Sequence, residues 1–177
     1  QRSGVDGISA LLSSSITFVG TVASNSNVRH GVSIVDSSSA LFYGATVTAN
    51  ANGHHGINVT NNSGLMADTS SIIIQNNLGN ASNNGKGIQV YGGSSIHLQN
   101  SSSLLNESNG QDGIAVGSAS SFYTDATSTL TVRSAKRYGI VIYSESNLLL
   151  SGTASVEDSA YHGAYVSMSS SLYVSGT

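Results

Sequence analysis

The segment Gly87–Leu98, GIQVYGGSSIHL, contains two short runs in which apolar residues alternate with other residues. Apolar residues follow the first glycine at offsets of one, three, nine and eleven residues, and Ser94 stands at offset seven. Such alternation is typical of β-strands with one apolar face, since successive side chains on a strand point to opposite sides. The segment therefore predicts two strands joined by a turn.

The same arrangement recurs along the whole chain. Related units begin at glycines separated by 24, 25, 31, 26, 26 and 24 residues, namely Gly7, Gly31, Gly56, Gly87, Gly113, Gly139 and Gly163. The column at offset one includes Ile57, Ile88, Ile114 and Ile140, and the column at offset seven is serine in every unit: Ser14, Ser38, Ser63, Ser94, Ser120, Ser146 and Ser170. Repeats of this length indicate a solenoid.

A third apolar position lies nine residues before the next glycine in five units, at Val22, Val47, Leu104, Leu130 and Ala154. One unit of three short strands cannot bury its own apolar faces, but stacked units pair each strand in parallel with its copy about 4.8 Å away. The predicted fold class is therefore all-β. It is a parallel β-solenoid of about seven coils of 24–26 residues, with three short strands per coil, over residues 1–177 as a single domain.

Two columns carry expectations about the backbone. The serine column is expected at a tight corner between the first two strands, where each hydroxyl bonds turn amides or the hydroxyl one coil away. The glycine column is expected to mark either a positive φ or a close approach between backbones.

Composition excludes several classes of function. Only 8% of the 177 residues are charged and the net charge is −3, so no nucleic-acid partner is predicted. The longest apolar runs are too short to predict insertion into a membrane. The chain has no cysteine and therefore no disulfide framework. No cofactor is predicted.

The pattern of Gly-Ile-x-Val followed by Ser-x-Leu at solenoid spacing resembles the right-handed parallel β-helix superfamily. This superfamily includes pectate lyases, polygalacturonases, phage tailspikes, and the passenger domains of bacterial autotransporters and adhesins. The resemblance covers the whole chain and implies a right-handed coil. It also implies a protein that is secreted or displayed at a cell surface. Neither terminus has a helical cap pattern and the last coil stops part-way at YVSGT, so the chain is expected to be a piece of a longer solenoid.

An enzymatic role is not predicted from the acidic residues. The resemblance implies that polysaccharide-cleaving members cluster carboxylates on the outward face of one strand ladder. Here the outward columns at offsets two and four contain no Asp or Glu, and the nine acidic residues are scattered. The alternatives are a polysaccharide lyase, hydrolase or epimerase whose active coil lies outside this chain, or a segment of a phage tailspike.

One column suggests metal ligands. Asp6, His30 and His55 directly precede the coil-start glycines of three successive coils. Imidazoles about 4.8 Å apart can share a zinc or copper ion. The alternative is an exposed turn position that accepts any polar residue, and no metal site is predicted on this column alone.

Two surface features suggest binding. Tyr91, Tyr143 and Tyr165 are predicted to form an outward aromatic patch that stacks on sugars, or to be ordinary surface residues. The basic residues Arg133, Lys136 and Arg137 are predicted to grip an acidic glycan, or to form a solvated turn. The sequence is consistent with both interpretations of each feature.

The third coil is longer than the others because of an insertion at about residues 75–86. Insertions in solenoids project from one face, which is often the binding face. Together these features predict an extracellular structural or adhesive solenoid: a rigid spacer, a fibre or a glycan-binding surface. Expected partners are glycans or other copies of the chain, stacked end to end or as a trimer.

Overall fold

The fold is a parallel β-solenoid of about six turns, which confirms the predicted fold class. The computed structural model describes residues 6–80 and 83–176. Within these ranges every regular element is a β-strand. No helix in the described residues is long and apolar enough to cross a membrane. Seven first strands stack in one sheet, and the second and third strands of the coils form a sheet of eleven.

The strands form three ladders. The first ladder contains β1 (Ile8–Ala10), β3 (Val32–Ile34), β5 (Ile57–Thr60), β10 (Ile88–Tyr91), β13 (Ile114–Val116), β16 (Tyr138–Ile142) and β19 (His162–Val166). The second contains β6 (Gly64–Asp68), β11 (Ser95–Gln99), β14 (Ser121–Thr124), β17 (Asn147–Leu150) and β20 (Ser171–Val174). The third contains β7 (Ser71–Gln75), β12 (Ser103–Glu107), β15 (Thr129–Arg133) and β18 (Thr153–Glu157).

Two long strands join the second and third ladders in the first coils. They are β2 (Ser15–Ala23) and β4 (Ser39–Thr48), where three short strands per coil were predicted. Gly20 and Gly44 have φ values of 78° and 55° at the bend, and the pairing shifts register beside Gly20. Glycine adopts positive φ without the steric cost of a Cβ atom, so the strand turns the corner and keeps pairing.

The register follows the sequence columns. Ile88 pairs with Ile57 on one side and Ile114 on the other, and Ile114 pairs with Ile140. These side chains are almost fully buried in a core that runs through the stack. Each buried aliphatic side chain contributes roughly 1.5–3 kcal/mol, and the ladders repeat that contribution in successive coils.

The serine column forms a continuous hydrogen-bonded ladder at the first corner. Each serine N–H donates to the Oγ of the serine one coil on, at 3.1–3.2 Å, from Ser14 to Ser170. Two residues with positive φ precede the serine in every coil, for example Asn61 and Asn62. Because this conformation turns the next N–H away from the strand ladder, the serine oxygen supplies the acceptor that it needs.

The coil-start glycines are explained by close approach. None of them has a positive φ. A Cβ atom at Gly31 would lie 2.6 Å from the carbonyl oxygen of Gly56, and one at Gly113 would lie 2.5 Å from that of Gly139. The glycines therefore allow neighbouring coils to approach at the entry to the first strand.

A second ladder, made of buried asparagines, lies at the corner after the third strand. The backbone N–H and the side-chain amide of Asn52 both donate to Oδ1 of Asn77, at 2.9 Å. Asn77 donates in the same way to Asn109, at 3.1 and 3.0 Å, and Asn27 to Asn52. This ladder was not predicted from the sequence.

The insertion in the third coil forms a small antiparallel hairpin. Its strands are β8 (Gly79–Asn80) and β9 (Asn83–Asn84), and residues 81–82 of the predicted 75–86 segment lie outside the described residues. A Cβ atom at Gly110 would lie 2.1 Å from the carbonyl oxygen of Leu78, so the base of the hairpin packs closely on the next coil.

Candidate functional site

A groove follows the outer face of the first ladder. Its floor in the second, third and fourth coils is a row of polar side chains: Gln89 donates to Asn58 at 3.1 Å, and Asn58 to Ser33 at 3.5 Å. The groove here has a volume of about 560 Å³, and its lining includes His30, His54 and Lys86.

The floor of the groove is more enclosed than was predicted from the sequence. The column at offset two was assigned to the outward face, yet Ser33, Asn58, Ala115 and Val141 are all buried. They lie outside the apolar core, so their direction agrees with the prediction. Larger side chains in the flanking columns cover them, since the groove walls include Lys86 and several tyrosines.

The column before the coil-start glycines is a ladder of side-chain acceptors. The His30 N–H donates to Asp6 Oδ1 at 3.2 Å, and the His55 N–H donates to His30 Nδ1 at 3.4 Å. The Lys86 N–H then donates to His55 Nδ1 at 3.1 Å. These residues therefore hold backbone donors at the rim of the groove.

Three histidines meet at this rim. His30 and His55 stack with ring centroids 5.0 Å apart, and His54 lies edge-on to His30 at 5.2 Å. One nitrogen from each ring lies within 4.8 Å of the others. His30 and His55 are buried and His54 is half-buried. His30 and His55 were candidates from the sequence, whereas His54 was not, because it lies one position outside the column.

Burial keeps the three imidazoles uncharged at neutral pH. Burial lowers the pKa of His55 from 6.5 to about 2, and the nearby Lys86 charge lowers it further. Burial also lowers the pKa of His30 to about 4, although the Asp6 carboxylate opposes this shift. The pKa of His54 is lowered by burial and then by Arg29. Neutral imidazole is the form that binds metal ions.

Asp6 does not join the histidine cluster. Its carboxylate forms a bidentate pair with Arg29 of the next coil, at 3.0 and 2.8 Å. The same arrangement recurs between Asp112 and Arg137, at 2.8 and 2.7 Å. In both pairs the arginine lies two residues, and the aspartate one residue, before a coil-start glycine. The pairs therefore fasten neighbouring coils beside the groove.

The predicted tyrosine patch is divided into two groups. Tyr91 and Tyr143 lie two coils apart, yet their rings meet edge to face with centroids 5.5 Å apart. A Cβ atom on Gly117 in the intervening coil would lie 2.3 Å from Tyr91, so the glycine makes room for the contact. Tyr165 stacks instead on Tyr138, at 5.1 Å.

The predicted basic cluster is largely occupied by ion pairs. Arg133 lies 2.8 Å from Glu107, and Arg137 is held by Asp112. Arg137 also lies 4.8 Å from the centre of the Tyr138 ring. Lys136 is exposed and has no ion pair within the described part of the chain. A charged ligand would therefore meet one uncommitted cation here, since both arginines already face carboxylates.

The chain matches no protein-family model, no curated protein and no solved structure at a significant level. The strand registers alone carry the assignment to the parallel β-solenoids, and no relative supplies a function by similarity.

Proposed function

We propose that this chain is a structural and adhesive solenoid of the extracellular space or the cell surface. In this proposal it is a right-handed member of the pectate-lyase-like β-helix superfamily, and it serves as a rigid spacer with a ligand-binding side. A right-handed coil agrees with the strong preference of parallel strand crossovers for that hand.

The observation that carries the proposal is the unbroken serine ladder. Its hydrogen bonds join every successive pair of coils from Ser14 to Ser170. A stack that is bonded at every step has no weak joint at which local opening can begin. Such a rod resists proteases and transmits force along its axis, and both properties suit a spacer outside the cell.

The groove supports the adhesive part of the proposal. The floor includes the half-buried amide of Gln89, and the wall includes the rings of Tyr143 and Tyr165. Amides that bond hydroxyl groups beside flat aromatic rings form a surface suited to glycans. Other copies of the chain remain proposed partners, because parallel ladders can continue from one stacked molecule to the next.

Electron microscopy and limited proteolysis test the structural part. We expect discrete rods or end-to-end fibres, and slow cleavage by thermolysin at room temperature. The control is Ile114→Asp, which puts a charge into the core ladder and abolishes cooperative unfolding. Globular particles, or a wild-type chain cleaved as fast as this variant, would contradict a rigid rod.

A glycan array tests the adhesive part. We expect Tyr143→Ala to weaken glycan binding at least tenfold, because the Tyr143 ring lines the groove and is held there by Tyr91. Tyr173→Ala is the matched control, since Tyr173 is exposed on the second ladder, away from the groove. If no glycan binds, or both variants bind equally well, the groove is not the adhesive surface.

A further inference from the structure

The three histidines at the groove rim form a set of ligands that the rest of the fold does not require together. Two of them bond backbone amides, whereas the ring of His54 has no hydrogen-bond partner among the described residues. We propose that His30, His54 and His55 bind one divalent transition-metal ion such as Zn²⁺, with a coordination position left open to the groove. Three neutral imidazoles and one open position are a known zinc arrangement in proteins.

The distances permit this with small movements. Zinc–nitrogen bonds of about 2.0–2.1 Å place tetrahedral ligand atoms roughly 3.4 Å apart. Here the three ligand atoms lie within 4.8 Å of one another. Rotation of the half-buried His54 side chain shortens its distances to the other two ligand atoms, and small tilts of the stacked His30 and His55 rings bring those two together. The site therefore forms without a change in strand register.

The existing hydrogen bonds of His30 and His55 set a cost for metal binding. Nδ1 of His30 and Nδ1 of His55 both accept backbone N–H groups, at 3.4 and 3.1 Å. In the proposed site the Nε2 atoms are the ligands, and each ring proton moves from Nε2 to Nδ1 when zinc binds. This breaks two hydrogen bonds and lowers the affinity by about tenfold for each.

The neighbouring charges also set the affinity. Asp6 balances the Arg29 guanidinium, whereas the Lys86 ammonium donates to the neutral Gln89 side chain, at 3.2 Å. A cation near a zinc site opposes binding. We therefore expect Lys86→Gln to tighten zinc binding several-fold, a change that a purely structural histidine cluster would not produce.

Calorimetric titration of the chelator-treated chain with Zn²⁺ tests the proposal. We expect one ion per chain, and His54→Gln should lower the affinity at least a hundredfold. The unfolding temperature of this variant in EDTA should stay unchanged, because the ring of His54 bonds no described residue. His97→Gln is the matched control: His97 contacts Tyr123 on another ladder and should leave zinc binding intact.

A second measurement keeps the proposal testable if His54→Gln folds poorly. Long-range ¹H–¹⁵N spectra of the wild-type imidazoles should show His30 and His55 change from the Nε2–H to the Nδ1–H tautomer when zinc is added. No bound ion at about millimolar zinc, equal affinities of the His54 and His97 variants, or unchanged tautomers would overturn the assignment.

Discussion

The serine and asparagine ladders perform the same task at two corners of the solenoid, yet only one of them is continuous. The serine ladder has a member in each of the seven coils, whereas the asparagine ladder ends at Asn109. The next two coils place Ala135 and Ser159 at the equivalent position, four residues before the glycine. Ala135 offers no side-chain acceptor, and the buried Ser159 Oγ has no partner among the described residues.

The backbone explains the difference. Two consecutive residues with positive φ precede every serine, so every coil has an N–H that needs the serine oxygen. A single residue with positive φ precedes each position of the asparagine column, from Ser26 before Asn27 to Asp158 before Ser159. A side-chain ladder is thus continuous where the backbone conformation demands it in every coil. Elsewhere it ends without interrupting the stack.

Removal of an asparagine in the middle of its ladder should have the largest effect. Asn77→Ala removes the acceptor of two buried Asn52 donors and the donor to the Ala49 carbonyl. Each unsatisfied buried group costs about 1–3 kcal/mol, so for three groups we expect a loss of at least about 3 kcal/mol. Urea unfolding measures it.

The matched control for Asn77→Ala is Asn147→Ala, which removes an exposed hydrogen bond to Ser171 that water can replace. We expect the control to change the free energy of unfolding by less than about 1 kcal/mol. A similar loss in both variants would mean that burial does not distinguish the asparagine ladder from the surface.

Acid should break the histidine acceptors and spare both amide and hydroxyl ladders. The folded-state pKa values of His30 and His55, about 4 and about 2, lie below the ordinary value of 6.5. The unfolded chain therefore binds more protons. Stability is complete above pH 6.5 and falls as the pH is lowered, by about 2 kcal/mol for each imidazole at pH 5. Urea unfolding in EDTA between pH 7.5 and 4.5 measures it.

The control for the acid prediction is the double variant His30→Gln, His55→Gln. Glutamine oxygen accepts the same N–H groups but does not titrate in this range. Its free energy of unfolding should change much less between pH 6.5 and 5. An equal decline in both proteins would assign the acid sensitivity to the carboxylates instead.

Removal of one serine from the continuous ladder should have an intermediate effect. Ser94→Ala leaves the buried Ser63 N–H without its acceptor, and we expect a loss of about 2 kcal/mol. The neighbouring Ser95→Ala on β11 is the control and should cost less than about 0.5 kcal/mol. If thermal and urea unfolding find the two variants equal, the serine column is retained for its small size alone.

Extension of the asparagine ladder should have the smallest effect, a gain in stability. Ala135→Asn offers an acceptor to the Asn109 backbone and a donor to the buried Ser159 Oγ. We expect about 1 kcal/mol of stabilisation in urea unfolding, and no change for the exposed control Lys136→Asn. Destabilisation would show that the corner at Ala135, in the fifth coil, is too tight for a longer side chain.

Most of the fold could be predicted from the sequence because parallel stacking repeats one environment in every coil. Ile114 and its column share one register, so their apolar character is visible as a period. The asparagine ladder was missed because the insertion places Asn77 ten residues before its glycine instead of four. Counting from the end of the third strand would have aligned it with Asn109.

The candidate site was harder to predict because side chains reach across columns. His54 joins His30 and His55 through ring orientation, which spacing does not specify. Tyr91 reaches Tyr143 only because the residue between them, in the middle coil, is Gly117. Tyr165 was grouped with them because it also points outward from the first strand, yet Tyr138 of the preceding coil provides its stacking surface.

The hairpin of the third coil has a consequence for engineering and for evolution. The coils on either side of it remain in register, with Ile57 opposite Ile88 and Asn77 bonded to Asn109. The extra residues are accommodated entirely in the turn, and the axial rise does not change. A foreign peptide grafted between β8 and β9 should therefore be displayed at a fixed height on the rod. Natural variation can likewise alter that side of the molecule without disturbing its length.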